Sequence, residues 1–554
     1  MSDKSDEPES KAGEQKPPKI KAEDNPWYLL ATLCGVPESG DDQLREKNRI
    51  AWNRYFAANL DEETRTKFIE ERHPAEELTP YSPEELREIE TAFAECCKAS
   101  ARKPALPASS AEIDFSNIKF EKPVFFVGYL FSIGCCFESA TFSRGASFTG
   151  ATFTDGANLL GATFTDVADF LGATFSGMAD FRDATFSGMA DFSGTTFSDE
   201  ANFIGATFSG AVDFLGAIFS GAAYFLGMTF SGMADFSGAI FYGAAHFHNP
   251  TFSDTARFDG ATFSDWAGFD GVTFSDEADF HDTTFSGVAA FTGATFSDEA
   301  HFDRASFSGR AAFDGATFSG SADFDGASFS GRAFFDGATF SGPTNFGRAT
   351  FGEASNFVNA EMKEETLFDD AIFETEPPRF LGAKLHQGTV WYGITWPPVP
   401  EDKRAARFSI DAYACLKLEM DRLKKHEDEL DFFALELQSR RVLLGPWRGL
   451  PIALYGLVSD YGRSYARPFV WLLVVAAIGA LLFVFSDALP IEKSFGLSFA
   501  NTLNVFGFRK DFFDTATIEH LPASLKILTA LQTILGAILL FLFGLGIRNK
   551  FRMK

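Results

Sequence analysis

Catalytic motifs are missing from this sequence. It has no G-x-S-x-G and no phosphate-binding glycine loop. Its eight histidines, His73, His246, His248, His281, His301, His386, His426 and His520, stand apart from any spacing that completes a metal set. Cysteine is scarce. Cys34, Cys96, Cys97, Cys135, Cys136 and Cys415 include no C-x-x-C pair, so reduced thiols of a cytosolic domain are expected. Positive charge is in short supply, with 48 Lys and Arg against 76 Asp and Glu, a net charge of −28. That balance argues against general nucleic-acid binding, which needs basic surface over phosphates. No apolar run follows the N-terminus, so no secretory signal peptide is expected. An enzyme, a cofactor and a metal centre are all unexpected.

Phenylalanine is what the chain has instead: 67 Phe, against 11 Tyr and 7 Trp. Such a bias points to one motif copied many times. From Phe142 to Phe351 a Phe recurs every eleven residues, and a second series, Phe148, Leu159, Phe170 and on to Phe357, runs between them. The steps alternate six and five, giving twenty units over 142–361. Gly, Thr, Ser and Asp at fixed places exclude an eleven-residue coiled coil. Each step reads Ala-x-Phe, and positions two apart share a face of an extended segment. Ala and Phe therefore point inward. The core candidates include Phe153, Phe164, Phe170, Phe175, Phe181, Phe186, Phe192 and Phe197.

This pattern resembles the pentapeptide-repeat family. The resemblance implies a mainly β fold, a right-handed quadrilateral β-helix, over residues 113–382. One residue inserted in alternate steps, such as Met178, Met189 or Glu200, bulges a corner, and two such units make a coil. Some soluble members of the family resemble duplex DNA and bind gyrase, which makes an acidic DNA mimic a weaker alternative here.

Two outward features stand out. Asp169, Asp191, Asp213 and Asp235 recur at every second unit, and in the alternate units the same position is mostly not Asp, so one face is expected to be acidic. The residue after the second Phe is apolar early, as in Leu160, Leu171, Ile204, Leu215 and Leu226, and acidic later, from Asp259 to Asp336. The early set is a candidate surface for an unidentified protein partner.

The flanks read differently. Residues 1–25 are charged and should be disordered. Residues 26–103 read as short helices capping the first coil, with Asn25-Pro26 and Ser82-Pro83-Glu84-Glu85 as start signals. A long amphipathic helix is expected over 405–444, offering a seam to the last coil or, as a coiled coil, to a second copy. An aromatic interfacial segment, 445–467, follows. Within 468–554, Pro468–Phe485 and Ile527–Ile547 are apolar runs long enough to span a bilayer. Arg463 and Arg467 precede the first; Arg548, Lys550, Arg552 and Lys554 follow the second. By the positive-inside bias both termini and the solenoid are cytoplasmic, on a bacterial inner membrane. Thr529, Gln532, Thr533 and Gly536 form a polar, small-residue stripe for helix packing, homo-oligomerisation or lining a pore. Two spans around the short apolar loop 495–508 look like an ion-channel pore module, though Asn504–Phe508 lacks the paired glycines of a potassium filter. The leading expectation is a membrane-anchored scaffold; a channel with a degenerate pore loop is the alternative.

Overall fold

A computed structural model describes residues 19–71, 73–100, 103–486, 489–504 and 521–552. The chain divides into two compact units, Met1–Thr350 and Phe351–Lys554.

The first unit is dominated by a parallel β-solenoid. Two-residue strands stack into four sheets, visited in turn by Thr141–Phe142, Ala146–Ser147, Thr152–Phe153 and Ala157–Asn158; we number the sheets 1 to 4 in that order. Thr163 pairs with Thr185 and Phe164 with Phe186, so one coil takes two of the eleven-residue units. Every core candidate named above is buried. The rings stack along the axis. Phe186 lies 4.8 Å from Phe164 and 4.6 Å from Phe208, nearly parallel to both, and meets Phe192 edge-on at 5.9 Å. Each such ring pair adds ~0.5–1.5 kcal/mol beyond the area it buries.

The five-residue steps turn tightly. Ala173 N–H donates to Phe170 C=O at 2.9 Å, and Gly172 between them has φ +62°. A type II turn requires that positive φ, which explains the recurring Gly. Asp183, Asn249 and Arg304 adopt it without being Gly. The inserted residues of the six-residue steps sit at the other corners; Met178 and Met189 are exposed there, and Glu200 is half-buried.

Among the described residues, four α-helices precede the solenoid: α1 (Pro26–Ala31), α2 (Asp42–Phe56), α3 (Glu62–Glu71) and α4 (Pro83–Cys96). Asn25 caps α1 by accepting from the N–H groups of Trp27 and Tyr28, and Ser82 and Glu85 form a reciprocal capping box on α4. Trp52 of α2 packs on Phe131 and donates from Nε1 to Leu130 C=O at 2.8 Å. Asn53 accepts from Leu130 N–H and donates to Gly128 C=O. These bonds satisfy main-chain groups at the first coil that a preceding coil would otherwise take. The expected disorder of 1–25 needs correction at its end. Ile20–Lys21 is a strand paired with Ile118–Lys119, so a short segment covers the open edge of sheet 1. Residues 1–18 lie outside the described residues.

In the second unit the coil pattern continues past residue 382, where the sequence spacing ended it. Leu367 bridges Val390 and Ile372 bridges Thr395. The coil has grown by one residue, within Glu374–Arg379, and Trp replaces Phe: Trp391 stacks on Phe368 at 4.6 Å, Trp396 on Phe373 at 5.5 Å. Helices α5 (Lys403–Leu423) and α6 (His426–Arg448) close this end, with Phe432 edge-on to both Trp rings. The single helix expected over 405–444 is therefore two. Lys424 takes φ +61°, and Lys425 N–H returns to Met420 C=O at 2.9 Å, a Schellman closure built without Gly. Glu436, nearly fully buried, binds Lys417 of α5 and Arg440 of α6. Then come α7 (Leu450–Ser459), α8 (Ala466–Phe485), α9 (Ile491–Thr502) and α10 (Ala523–Arg552). Helices α8 and α10 are long and apolar enough to cross a membrane. Twenty residues at 1.5 Å each give α8 about 30 Å, the thickness of a hydrocarbon core.

Candidate interaction surfaces and membrane helices

The acidic column lies on sheet 2, whose outward residues include Asp169, Asp191, Asp213, Asp235, Asp279 and Asp323. Each has a local task. Asp169 Oδ1 accepts from Leu171 N–H at 3.0 Å, and Asp213 Oδ1 from Leu215 N–H at 2.7 Å. Asp191, Asp235, Asp279 and Asp323 repeat the bond two residues on. These are Asx caps on the turn that follows the strand. Asn345 does the same on sheet 2, and Asn158, Asp180 and Asn202 do it on sheet 4. The capping role accounts for the column without a partner; its charge is a by-product. Stacked charge has a cost at Asp323, whose carboxyl is pushed above its ordinary value of 3.8 by burial and by neighbouring Asp303 and Asp325.

The apolar set does not form one stripe. The two-unit coil puts Leu160 and Leu226 in one column, with Arg182 and Ile204 between them, and Leu171 and Leu215 in another, with Ser193 between. Each residue is the second of its tight turn, so the two columns run along different corners. Leu171 and Leu215 are the exposed pair, at 44% and 50%; Leu160 and Leu226 are half-buried. The acidic successors split likewise and are partly paired: His248 with Asp270, His281 with Asp303, Arg310 with Asp314, Arg348 with Asp325.

Sequence reasoning missed an aromatic row on sheet 4. Tyr224 stacks on His246 at 4.7 Å, and Trp266 leans over both His246 (4.8 Å) and His248 (5.1 Å). Gly268 leaves the room; a Cβ there would collide with the indole. Further along, Arg310 covers the Phe334 ring at 4.5 Å. Burial, and then His248, push the His246 imidazole below its ordinary value. The sequence carried only part of the signal: Tyr224 and His246 are consecutive members of one outward column, whereas Trp266 occupies the inserted corner position two residues before Gly268.

The polar stripe of α10 is turned inward, onto α9. Thr529 and Gln532 are buried. Gln532 Nε2 donates to Ser498 Oγ at 2.7 Å and to Val475 C=O at 3.3 Å; Ser498 Oγ donates to Ala476 C=O at 2.7 Å. Asn501 Nδ2 lies 3.4 Å from Gln532 Oε1 and 3.5 Å from Thr529 Oγ1. Thr533, half-buried, donates back to Thr529 C=O. Gly536 and Gly479 mark close approaches: a Cβ on Gly536 would strike the Thr502 carbonyl, and one on Gly479 the Gln532 amide. Three helices, not two, thus share the polar seam, and Ser494, Ser498 and Thr502 line one buried side of α9 at four-residue spacing. The segment 495–508, expected as a loop, is helical as far as Thr502; Val505–Phe508 lies outside the described residues.

Among the described residues, Asp421, His426 and Glu429 bring ligand atoms within 4.8 Å of one another. His426 already faces Glu429 at 3.1 Å, and Asp421 is exposed, so the grouping is an ordinary surface pair with a neighbour.

A family model described as Pentapeptide repeats (9 copies) matches seven overlapping windows that together run from residue 133 to residue 372. Over those residues the solenoid matches a pentapeptide-repeat domain. Comparison with curated proteins and with solved structures returns no match.

Proposed function

We infer that the protein is a non-enzymatic scaffold, held in a membrane by α8 and α10, that offers its solenoid to a protein partner. The observation that carries this is the pairing, in one chain, of a pentapeptide-repeat domain with two spanning-length apolar helices. The exposed pair Leu171 and Leu215, in one corner column with Ser193 between them, is the contact surface of choice. The basic residues flanking α8 and α10 favour a cytoplasmic solenoid and cytoplasmic termini, on an inner membrane. Self-association would run through α5, α6 and the membrane helices.

A channel is the second reading, favoured by one observation: α9 lies against both spanning helices and carries Asn501, whose Oδ1 is buried without a partner among the described residues. Against it, Gln532 and Thr529 are spent on packing within one chain. An acidic DNA mimic is weaker still, because the Asp column caps turns and the later acids are partly paired. Planar-bilayer recording of the full chain separates the readings. The scaffold gives a silent bilayer; ion-selective currents abolished by Gln532→Leu would establish the channel. For the partner surface, in-membrane crosslinking of wild type and Leu171→Asp/Leu215→Asp should give different adducts, and identical adducts would remove that surface from the account.

A further inference from the structure

A cavity of about 250 Å³ opens among α5, α6, α7 and α10. It is lined by Lys417, Glu429, Phe433, Tyr455 and Arg548, among others. Its level is set by sequence. Arg548 is the first charge after the apolar stretch of α10, and Tyr461, also on the wall, stands just before α8. If α8 and α10 span a bilayer, this is the headgroup layer, where Tyr and cationic residues collect.

Charge accounting sorts the lining groups. Arg463 is engaged by Asp431 and Asp460, and Arg467 by Asp460. Lys417 is held by buried Glu436. Arg548 is different: it reaches the Asn549 amide oxygen at 3.3 Å, and among the described residues no carboxylate lies within 4 Å of it. Glu429 adds a carboxylate to the same wall, met by His426 at 3.1 Å, and Phe433, with Lys417 Nζ 5.6 Å over its ring, and Tyr455 add aromatic wall of the kind that attracts ammonium groups. A guanidinium, a carboxylate and aromatic rings around one small cavity are complementary to a zwitterion. Pockets for drug-sized ligands run to ~300–1,000 Å³, so this one suits a headgroup and not a whole lipid.

We propose that this cavity binds the headgroup of an amine-bearing phospholipid, with the phosphodiester on Arg548 and the primary ammonium on Glu429. The inference rests on the membrane-anchor reading. The test is native mass spectrometry of the full chain in a non-ionic detergent, titrated with phosphatidylethanolamine, phosphatidylglycerol, phosphatidylcholine or inorganic phosphate. Wild type should retain phosphatidylethanolamine at least tenfold better than the other lipids. Arg548→Gln should abolish that retention, Arg548→Lys should keep most of it, and Glu429→Gln should erase the preference over phosphatidylglycerol while leaving phospholipid bound. Equal retention of all three lipids by wild type overturns the proposal, as does inorganic phosphate that displaces nothing from wild type but binds Arg548→Gln equally well. Membrane sedimentation of the same proteins keeps the two readings apart. A chain that stays in membranes but shows no lipid preference refutes the headgroup site alone.

Discussion

Phe186 and Phe334 carry the same side chain in opposite roles, and replacing each by Ala tests the inward–outward assignment. Phe186 is fully buried, stacked on two rings and edge-on to others. A buried Phe→Ala costs ~3–5 kcal/mol, from lost transfer energy plus the cavity. Phe334 points outward from sheet 4 with Arg310 over its face. Its loss forgoes a partly exposed cation–π contact of ~0.5–1 kcal/mol. Coils touch only their neighbours, so the damage should stay local. Hydrogen exchange read by mass spectrometry on the full chain in detergent is the assay. With ~1.4 kcal/mol per factor of ten, Phe186→Ala should speed exchange in coils 164–208 by roughly a hundredfold or more, and Phe334→Ala by less than tenfold at its own coil. Equal effects would refute the assignment. Uniform opening of the whole solenoid in Phe186→Ala would refute the nearest-neighbour account of its stability.

Four more perturbations follow from the same geometry. Asp213→Ala removes the cap on Leu215 N–H and should destabilise its coil by ~1 kcal/mol, while Asp213→Asn, which keeps the acceptor, should be near neutral in a denaturant titration. Asp323 has a folded value raised above 3.8, so the folded state holds the proton longer than the unfolded one. Its penalty is absent below 3.8 and grows as pH rises through the folded value, so Asp323→Asn should stabilise the solenoid at pH 7 and change nothing below about 3.8. In the membrane unit, Gly536→Ala puts a methyl on the Thr502 carbonyl, whereas Gly544→Ala meets open space. The first should lower thermal stability in detergent and the second should not; Gln532→Leu should cost ~0.6–1.7 kcal/mol, between the average and the largest value for polar contacts between membrane helices.

The solenoid was legible because its core is written in one letter at one period. Phe every eleven residues in two interleaved series specifies both the inward face and, once units are paired, the length of the coil. What escaped were features whose physics depends on neighbours in the stack. The apolar set reads as one stripe along the sequence, yet successive units alternate between corners, so Leu160 and Leu171 part company. The Asp column reads as charge, yet its bond to the N–H two residues on shows that it is turn chemistry, for which Asn serves as well. The end of the solenoid was set too early because Trp391 and Trp396 take over from Phe just as the coil lengthens by one residue. The break between α5 and α6 was hidden because Lys424 occupies a left-handed position usually given to Gly. In the membrane unit the stripe Thr529, Gln532 and Gly536 was visible, but its counterpart was not. Ser498 and Thr502 sit in a segment read as loop, and only folding it as α9 brings them onto Gln532 and Gly536.

The claim on which the rest depends is that α8 and α10 integrate the chain into a membrane. Alkaline carbonate extraction of membranes from cells expressing the full chain tests it most directly. The account predicts that the full chain stays with the membrane pellet and that a chain ending at Ser464 is released. Release of the full chain by carbonate would contradict it.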